Sequence, residues 1–441
     1  MERSNGLNGT VGRMRPAVMM AAFALLAACY AGPQAGRAPG SPTDLADGTP
    51  ELDQTGEVVS PLIAELTQRR SVLPAGSAYA QVADAVLEAG RASAEAELRV
   101  KRLTARARSK NWLPSVGPDV SLTSLSSIAA SLILDQAVFD NGRRKAERDF
   151  AAADVEVAAI SLVSDLNQRV YDGLRLYVEA ARARELAGIS ETALVRMRDF
   201  ERIMTLRMQG GLADQSELRV ISQKKAEMEA SLTSERQGAE SALAELAVLA
   251  GGPVKATGIS NLPADPGRPE ALSVLLARGE AARTGAEVRI ARAGLRPGLG
   301  ASASVARDGG LDGGLSMNGD VLGFGRADKL RALDEAEEVS RRKVEEAGLD
   351  AARRIVALER EIASLSAQQV QDGKVLAEME ANLTLFTEQY RAGGRSLLEL
   401  VTQFESLVSM KRSHASLKYQ ISMARLEIAL TRGVLVDGGR M

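Results

Sequence analysis

Few side chains in this sequence could carry out chemistry. There is one histidine, His414, and one cysteine, Cys29, in 441 residues. A His/Cys zinc site, a disulfide framework and a Ser-His-Asp triad built around a spare histidine all need more than that. His414 sits beside Leu407, Leu417 and Ile421 and reads as a structural residue. Gly298-x-Gly300 opens an alternating segment rather than a helix, so it is not a dinucleotide fingerprint. No G-x-x-x-x-G-K run occurs, so any energy must come from a partner. Lys plus Arg is 55 against 57 Asp plus Glu, without the basic excess of a nucleic-acid binder. No enzyme activity, cofactor or metal site is expected.

Cys29 is the exception. Arg13 and Arg15 precede an apolar run, Ala17 to Ala28, that is shorter than the roughly 20 residues a membrane-spanning helix needs. A basic start and a short apolar stretch read as an export signal over residues 1–28, with Met1 or Met14 as the start. The run ends Leu26-Ala27-Ala28-Cys29, which reads as a bacterial lipobox, where the thiol is diacylated and becomes the new N-terminus. Residues 29–74, Gly-, Pro- and Asp-rich at first, are expected to form a lipid-anchored flexible tether.

The remainder is a repeat. Gly142-Arg143 returns as Gly325-Arg326 after 183 residues, while Gly211 returns as Gly393 and Glu217-Leu218 as Glu399-Leu400 after 182. Three landmarks at nearly one offset indicate duplication. The first unit covers 75–250, a Gly/Pro-rich linker 251–269, the second unit 270–433 and a tail 434–441. Aromatic residues make up only 3% of the chain, a composition suited to long packed helices. Residues 143–208 and 326–391 contain no proline and almost no glycine, so each is expected to form a helix of roughly 100 Å. The second carries a heptad seam through Ile355, Leu358, Ile362, Leu365, Leu376, Met379, Leu383, Phe386 and Tyr390, interrupted by Gln369 and Asp372. Each long helix meets a Gly-Gly turn and a shorter helix, 213–250 and 397–432, forming a helical hairpin. Earlier helices at 79–111 and 270–294 have the length to complete the lining of each long helix.

Between early and long helices the period changes to two. Leu299, Ala301, Ala303 and Val305 alternate with small or polar residues, as do Leu311, Leu315 and Met317, and Leu132, Leu134 and Val138 in the first unit. Strand pairs are expected at about 116–139 and 298–322. One apolar face over such a length fits a transmembrane β-barrel strand or a soluble amphipathic hairpin. Export, and Trp112 and Phe139 flanking one end like an interfacial belt, favour the former. Four strands cannot close a barrel, and open edges do not survive in lipid, so the chain is expected to oligomerise.

The doubled order of strand pair, long helix, Gly-Gly tip and short helix resembles the TolC-like outer-membrane factors in their lipid-anchored branch. The matching stretches are VFDNGRRKAE and VLGFGRADK at strand ends and MQGGLADQSEL and QYRAGGRSLLELV at tips, over about residues 75–433. The resemblance implies a mainly α protein with a transmembrane β part. It implies a homotrimer whose 12-stranded barrel in the outer membrane continues into an α-helical barrel across the periplasm. The implied function is the passive exit duct of a tripartite efflux pump or type I secretion system, joined to an inner-membrane pump through a periplasmic adaptor. Cargo remains open between drug, metal and protein. By resemblance, Gly211, Leu212, Gly393 and Gly394 dock the adaptor. Tyr390 and Arg395 would latch onto Ser216 and Glu217 of a neighbouring hairpin, and Glu399 would join an acidic ring at the entrance. Mutual repulsion in such a ring would raise the carboxyl pKa. Tyr30, not Asp, follows Cys29, which implies sorting to the outer membrane. A periplasmic adaptor or a coiled-coil envelope scaffold is the alternative.

Overall fold

The computed structural model describes residues 50–440 apart from 54, 125–126, 257, 260–261, 264–267, 307–309 and 319–324. The expected signal, Cys29 and the start of the tether lie outside the described residues, as does part of the VLGFGRADK stretch.

Two very short strands, β1 (Glu51–Leu52) and β2 (Val58–Val59), pair around an Asp53 turn. The Asp53 carboxylate accepts the backbone N–H of Thr55 and of Glu57, each at 2.8 Å. Helix α1 (Pro61–Gln68) follows, with Ser60 capping Ile63 N and proline at the first helical position, where its missing N–H does no harm. Helices α2 (Ala78–Ser109), α3 (Arg143–Gln209) and α4 (Gln215–Leu249) belong to the first unit, and α5 (Leu272–Gly294), α6 (Arg326–Arg391) and α7 (Leu397–Thr431) to the second. Strands β3 (Ser115–Ser124) and β4 (Ser127–Phe139) lie between α2 and α3; β5 (Gly298–Ala306) and β6 (Leu311–Asn318) lie between α5 and α6.

Ion pairs mark how short helices line the long ones. Along α3, Asp154 meets Lys101 of α2 at 2.8 Å and, further on, Glu201 meets Lys225 of α4 at 2.7 Å. On its other contacts, Asp149 meets Arg289 of α5 at 3.2 Å and Glu185 meets Lys418 of α7 at 2.6 Å. Among the described residues, helix α6 pairs chiefly with α5 and α7, through Arg292 of α5 to Glu337 at 3.2 Å and Lys411 of α7 to Glu380 at 2.6 Å. Burial follows from this difference. Helix α3 buries residues from Ala146 to Met204 along its length, whereas Ser340, Ala351 and Leu358 are the buried residues of α6. The rest of the α6 seam is half-buried against α7.

The main core gathers Tyr79, Val82 and Val86 of α2, Val170 and Leu174 of α3, Leu246 of α4 and Leu426 of α7. The Tyr79 and Tyr177 rings meet edge-on at 6.1 Å, and Tyr177 donates to Gly258 O at 2.7 Å, holding the interunit linker on the core.

One expectation needs correction. Residues 60–74 are not tether but fold onto the body. Leu66 is buried, and buried Arg69 donates to Arg432 O at 2.7 Å and Glu270 O at 2.9 Å. The tail 434–441 also packs onto the body. Val434, Leu435 and Val436 are buried, and Val72 N donates to Val434 O at 2.9 Å. Glycine and proline mark irregular backbone, but they do not say whether that backbone finds partners.

The four longer strands form one antiparallel sheet in the order β3-β4-β5-β6. Its register aligns Val116, Leu134 and Ala303 in one row and Leu132, Val305 and Leu311 in the next on one face. Ser115, Asp135 and Ser302 share a row on the other face, where Ile133 and Ala137 are apolar. A bulge between Ala137 and Phe139 sets Phe139 opposite Leu299, so Val138 leaves the alternation expected of it. Within the single chain the sheet is open, with β3 and β6 as its edges.

Candidate functional site

Both hairpin tips are closed by the same backbone device. Gly211 and Gly393 adopt φ of 70° and 79°, a left-handed conformation that glycine reaches without steric cost. The next residue then bonds back over five positions: Leu212 N to Arg207 O at 2.8 Å and Gly394 N to Gln389 O at 2.9 Å. This is the Schellman closure of a helix C-terminus. It leaves Leu212 71% exposed at the first tip.

The glutamates of the candidate gate begin the returning helices. Glu217 forms a capping box with Asp214 at the start of α4, and Glu399 does so with Ser396 at the start of α7. Ser396 N donates to Glu399 Oε2 at 3.0 Å, while Glu399 N donates to Ser396 Oγ at 3.2 Å. The Ser396 backbone N–H, with Arg395 3.6 Å away, holds the Glu399 carboxyl below the usual carboxylate range. Within one chain the shift is thus opposite to the rise expected from an acidic ring, because the capping contacts stabilise the charged form.

Arg395 is held on its own hairpin. Its Nε donates to Gln389 Oε1 at 3.1 Å, and the guanidinium lies 4.6 Å from the Phe386 ring centre. Tyr390 packs with Phe386 and Leu383 against a cluster containing Met197, Ile221, Leu400 and Phe404. Ser216 is exposed. Among the described residues, no hydrogen bond or ion pair joins Tyr390 or Arg395 to Ser216 or Glu217. The tips do bring all five residues to the returning ends of the hairpins.

Sequence reasoning missed what ties the two hairpins together. Lys224 of α4 pairs with Glu405 of α7, and Arg412 of α7 reaches Ser190 and Glu235. Phe200 and Phe404 meet edge-on at 5.5 Å in the same region. A signal was present in the repeat: Lys224 and Glu405 are 181 residues apart, close to the repeat offset, because repeat-related helices face one another. His414 lies opposite Gly373 of α6, where a Cβ would approach its Nε2 to 3.6 Å, a packing position.

On the sheet, the apolar face is uncovered within the chain. Leu315 is 82% exposed, and Trp112 and Phe139 are exposed at the helix end of the strands. Gln136, on the apolar face opposite Ala301, turns its amide to Trp112 O at 3.1 Å. Among the described residues, no helix is long and apolar enough to cross a membrane, and no group of three His, Cys, Asp or Glu could hold a metal.

Solved structures share this arrangement. The outer-membrane protein VceC of Vibrio cholerae superposes with a TM-score of 0.69 at 17% identity, over 81% of this chain and 96% of that one. The outer-membrane channel OprN gives 0.71 at 17% identity over 92% and 99%. The fold is that of a TolC-like outer-membrane factor. The open-state MtrE outer-membrane channel of Neisseria gonorrhoeae is similar again, with a TM-score of 0.68 at 14% identity over 88% of this chain and 97% of that one. The outer-membrane-factor fold thus persists at identities where side-chain roles do not transfer by alignment. No protein-family model matches the chain, and no curated protein does.

Proposed function

We propose that this protein is the outer-membrane exit duct of a tripartite export machine. Three copies each contribute four strands to a 12-stranded barrel, and their helices continue as a tunnel into the periplasm. It works as a passive channel, not an enzyme. Gly211, Leu212, Gly393 and Gly394 meet a periplasmic adaptor, and an inner-membrane pump supplies the energy. Tyr390, Arg395, Ser216, Glu217 and Glu399 narrow the periplasmic entrance, and a diacylated Cys29 adds an anchor in the outer membrane.

The observation that carries this reading is the sheet. One antiparallel layer has a largely apolar face, with Leu311, Leu315 and Met317 exposed, and two unpaired edges. In lipid such a face is favourable, but unpaired edges are not, so further copies must complete the barrel. Eight strands make a barrel filled by its own side chains, whereas a wider one holds a water channel. The outer-membrane channels of similar fold support the same reading. A periplasmic adaptor would be built on one hairpin, and a pore-less scaffold would leave the sheet without a role.

Cross-linking the purified protein in detergent tests the assembly, and planar-bilayer recording tests the pore. The expected results are a trimer and discrete conductance steps. Monomers or dimers without conductance would rule the duct out. Mass spectrometry of the mature N-terminus tests Cys29, and a pump that co-purifies identifies the cargo class.

A further inference from the structure

Where β4 passes into α3 and α5 passes into β5, the two joints enclose a cavity of about 230 Å³. Arg143, Arg144 and Arg296 line it, with two carboxylates, Asp140 and Glu147. Those carboxylates already have partners. Asp140 accepts the backbone N–H of Gly142 at 3.0 Å and of Arg144 at 2.8 Å. Glu147 accepts Arg143 Nε at 3.2 Å and lies 3.6 Å from Arg108.

The guanidinium groups are less well served. Arg144 Nη1 is buried and has no hydrogen-bond partner. Arg296 is exposed at the rim, and among the described residues no ion pair engages it. A buried charged donor is stable when an acceptor meets it, and arginine forks match phosphate oxygens in pairs. The site therefore suits an anion with several oxygens. Its apolar side comes from Phe139 and Leu299, cross-strand partners at the base of the sheet's exposed apolar face. The cavity joins a cationic helix end to a surface fit for acyl chains.

We propose that this cavity binds the phosphate of an anionic phospholipid, with the acyl chains lying along Phe139 and Leu299. Basic pockets beside membrane-embedded segments hold such headgroups by the same electrostatics. The proposal rests on the sheet spanning a membrane, as inferred above.

The test uses the full chain purified in neutral detergent, titrated with phosphatidylglycerol or phosphatidylcholine and read by native mass spectrometry. Phosphatidylglycerol should be retained preferentially. Arg144→Gln and Arg296→Gln should each weaken its retention on the order of tenfold, one charge-assisted contact's worth. Lys343→Gln, on the exposed part of α6, should leave it unchanged. Arg296 is exposed, so its variant keeps the test decisive if Arg144→Gln misfolds. Equal retention of the two lipids, or an Arg296→Gln chain that binds phosphatidylglycerol as the parent does, overturns the proposal. Displacement of the lipid by equimolar inorganic phosphate also overturns it, assigning the cavity to free phosphate. Insertion into vesicles is scored separately: a chain that fails to insert refutes the channel reading, while one that inserts without lipid preference refutes only the cavity.

Discussion

The side-chain oxygen of Asn167 accepts the backbone N–H of Leu435 at 2.9 Å, joining the middle of α3 to the C-terminal segment 268 positions later. The same oxygen accepts Val436 N at 3.3 Å, and the amide nitrogen donates to Val163 O at 2.8 Å. Asn167 is fully buried. Asn167→Leu would leave two buried N–H groups unpaired, and the expected loss is roughly 2–4 kcal/mol. Thermal melting of the purified protein measures it, with exposed Gln168→Ala as a control expected to change stability by less than about 0.5 kcal/mol. Equal melting of the two variants would remove Asn167 from any structural role.

Glu156 should make stability depend on pH. Its side chain is buried, Ser60 donates to one oxygen, and the other has no partner. Burial pushes the carboxyl pKa up. The folded state therefore holds the proton more tightly than the unfolded one. The penalty is absent below the ordinary glutamate pKa and grows as pH rises through the folded value. Glu156→Gln should raise the melting temperature at pH 7.5 and have little effect near pH 4. A gain of the same size at both pH values would contradict this.

The gate predicts a nonlinear response. Arg395 is exposed and paired with Gln389 and Glu399, and an exposed pair contributes about 0–1 kcal/mol. Arg395→Ala alone should shift the closed population only a few-fold. With Tyr390→Phe added, and each change acting three times in a trimer, single-channel conductance should rise clearly. Unchanged conductance in the double variant at normal trimer level would leave both as helix-surface residues. Because Glu399 is held below the usual carboxylate range, cation preference should persist into mildly acidic solution and fall only as those carboxylates are protonated.

The two faces of the sheet should differ in their tolerance of charge. Leu315→Arg, on the apolar face, should destabilise by roughly 2–4 kcal/mol if it lies near the bilayer midplane. Ser316→Arg, on the opposite face beside Gly300, should be much milder. Urea titration of vesicle-reconstituted protein compares them, and equal effects would contradict a lipid-facing Leu315.

The long helices were legible because Gly142-Arg143 and Gly325-Arg326 punctuate runs otherwise free of breakers, and the strands because Leu299 to Val305 alternate without interruption. The capping boxes at Asp214-x-x-Glu217 and Ser396-x-x-Glu399 carry a sequence signature as well, at the glutamates to which the resemblance assigns a gate role. The folded segment 60–74 left no comparable trace. The Nη atoms of Arg69 donate to the carbonyls of Arg432 and Glu270, and a backbone acceptor has no residue identity to read. The Arg144 cavity was hidden for a related reason, since it arises where residues about 150 positions apart are brought together by β4–β5 pairing.

The unequal packing of the two long helices has a consequence for how the chain can vary. A saturation library should find α3 intolerant at buried positions along its whole length, from Ala146 to Met204. Helix α6 should accept polar replacement over wide stretches if judged by the single chain alone. Exposed apolar positions such as Leu349, Val370 and Leu385 would then be silent. Any of them that nevertheless rejects substitution records a surface covered only in the assembly, so a map of tolerance along α6 would trace the outline of the neighbouring copy.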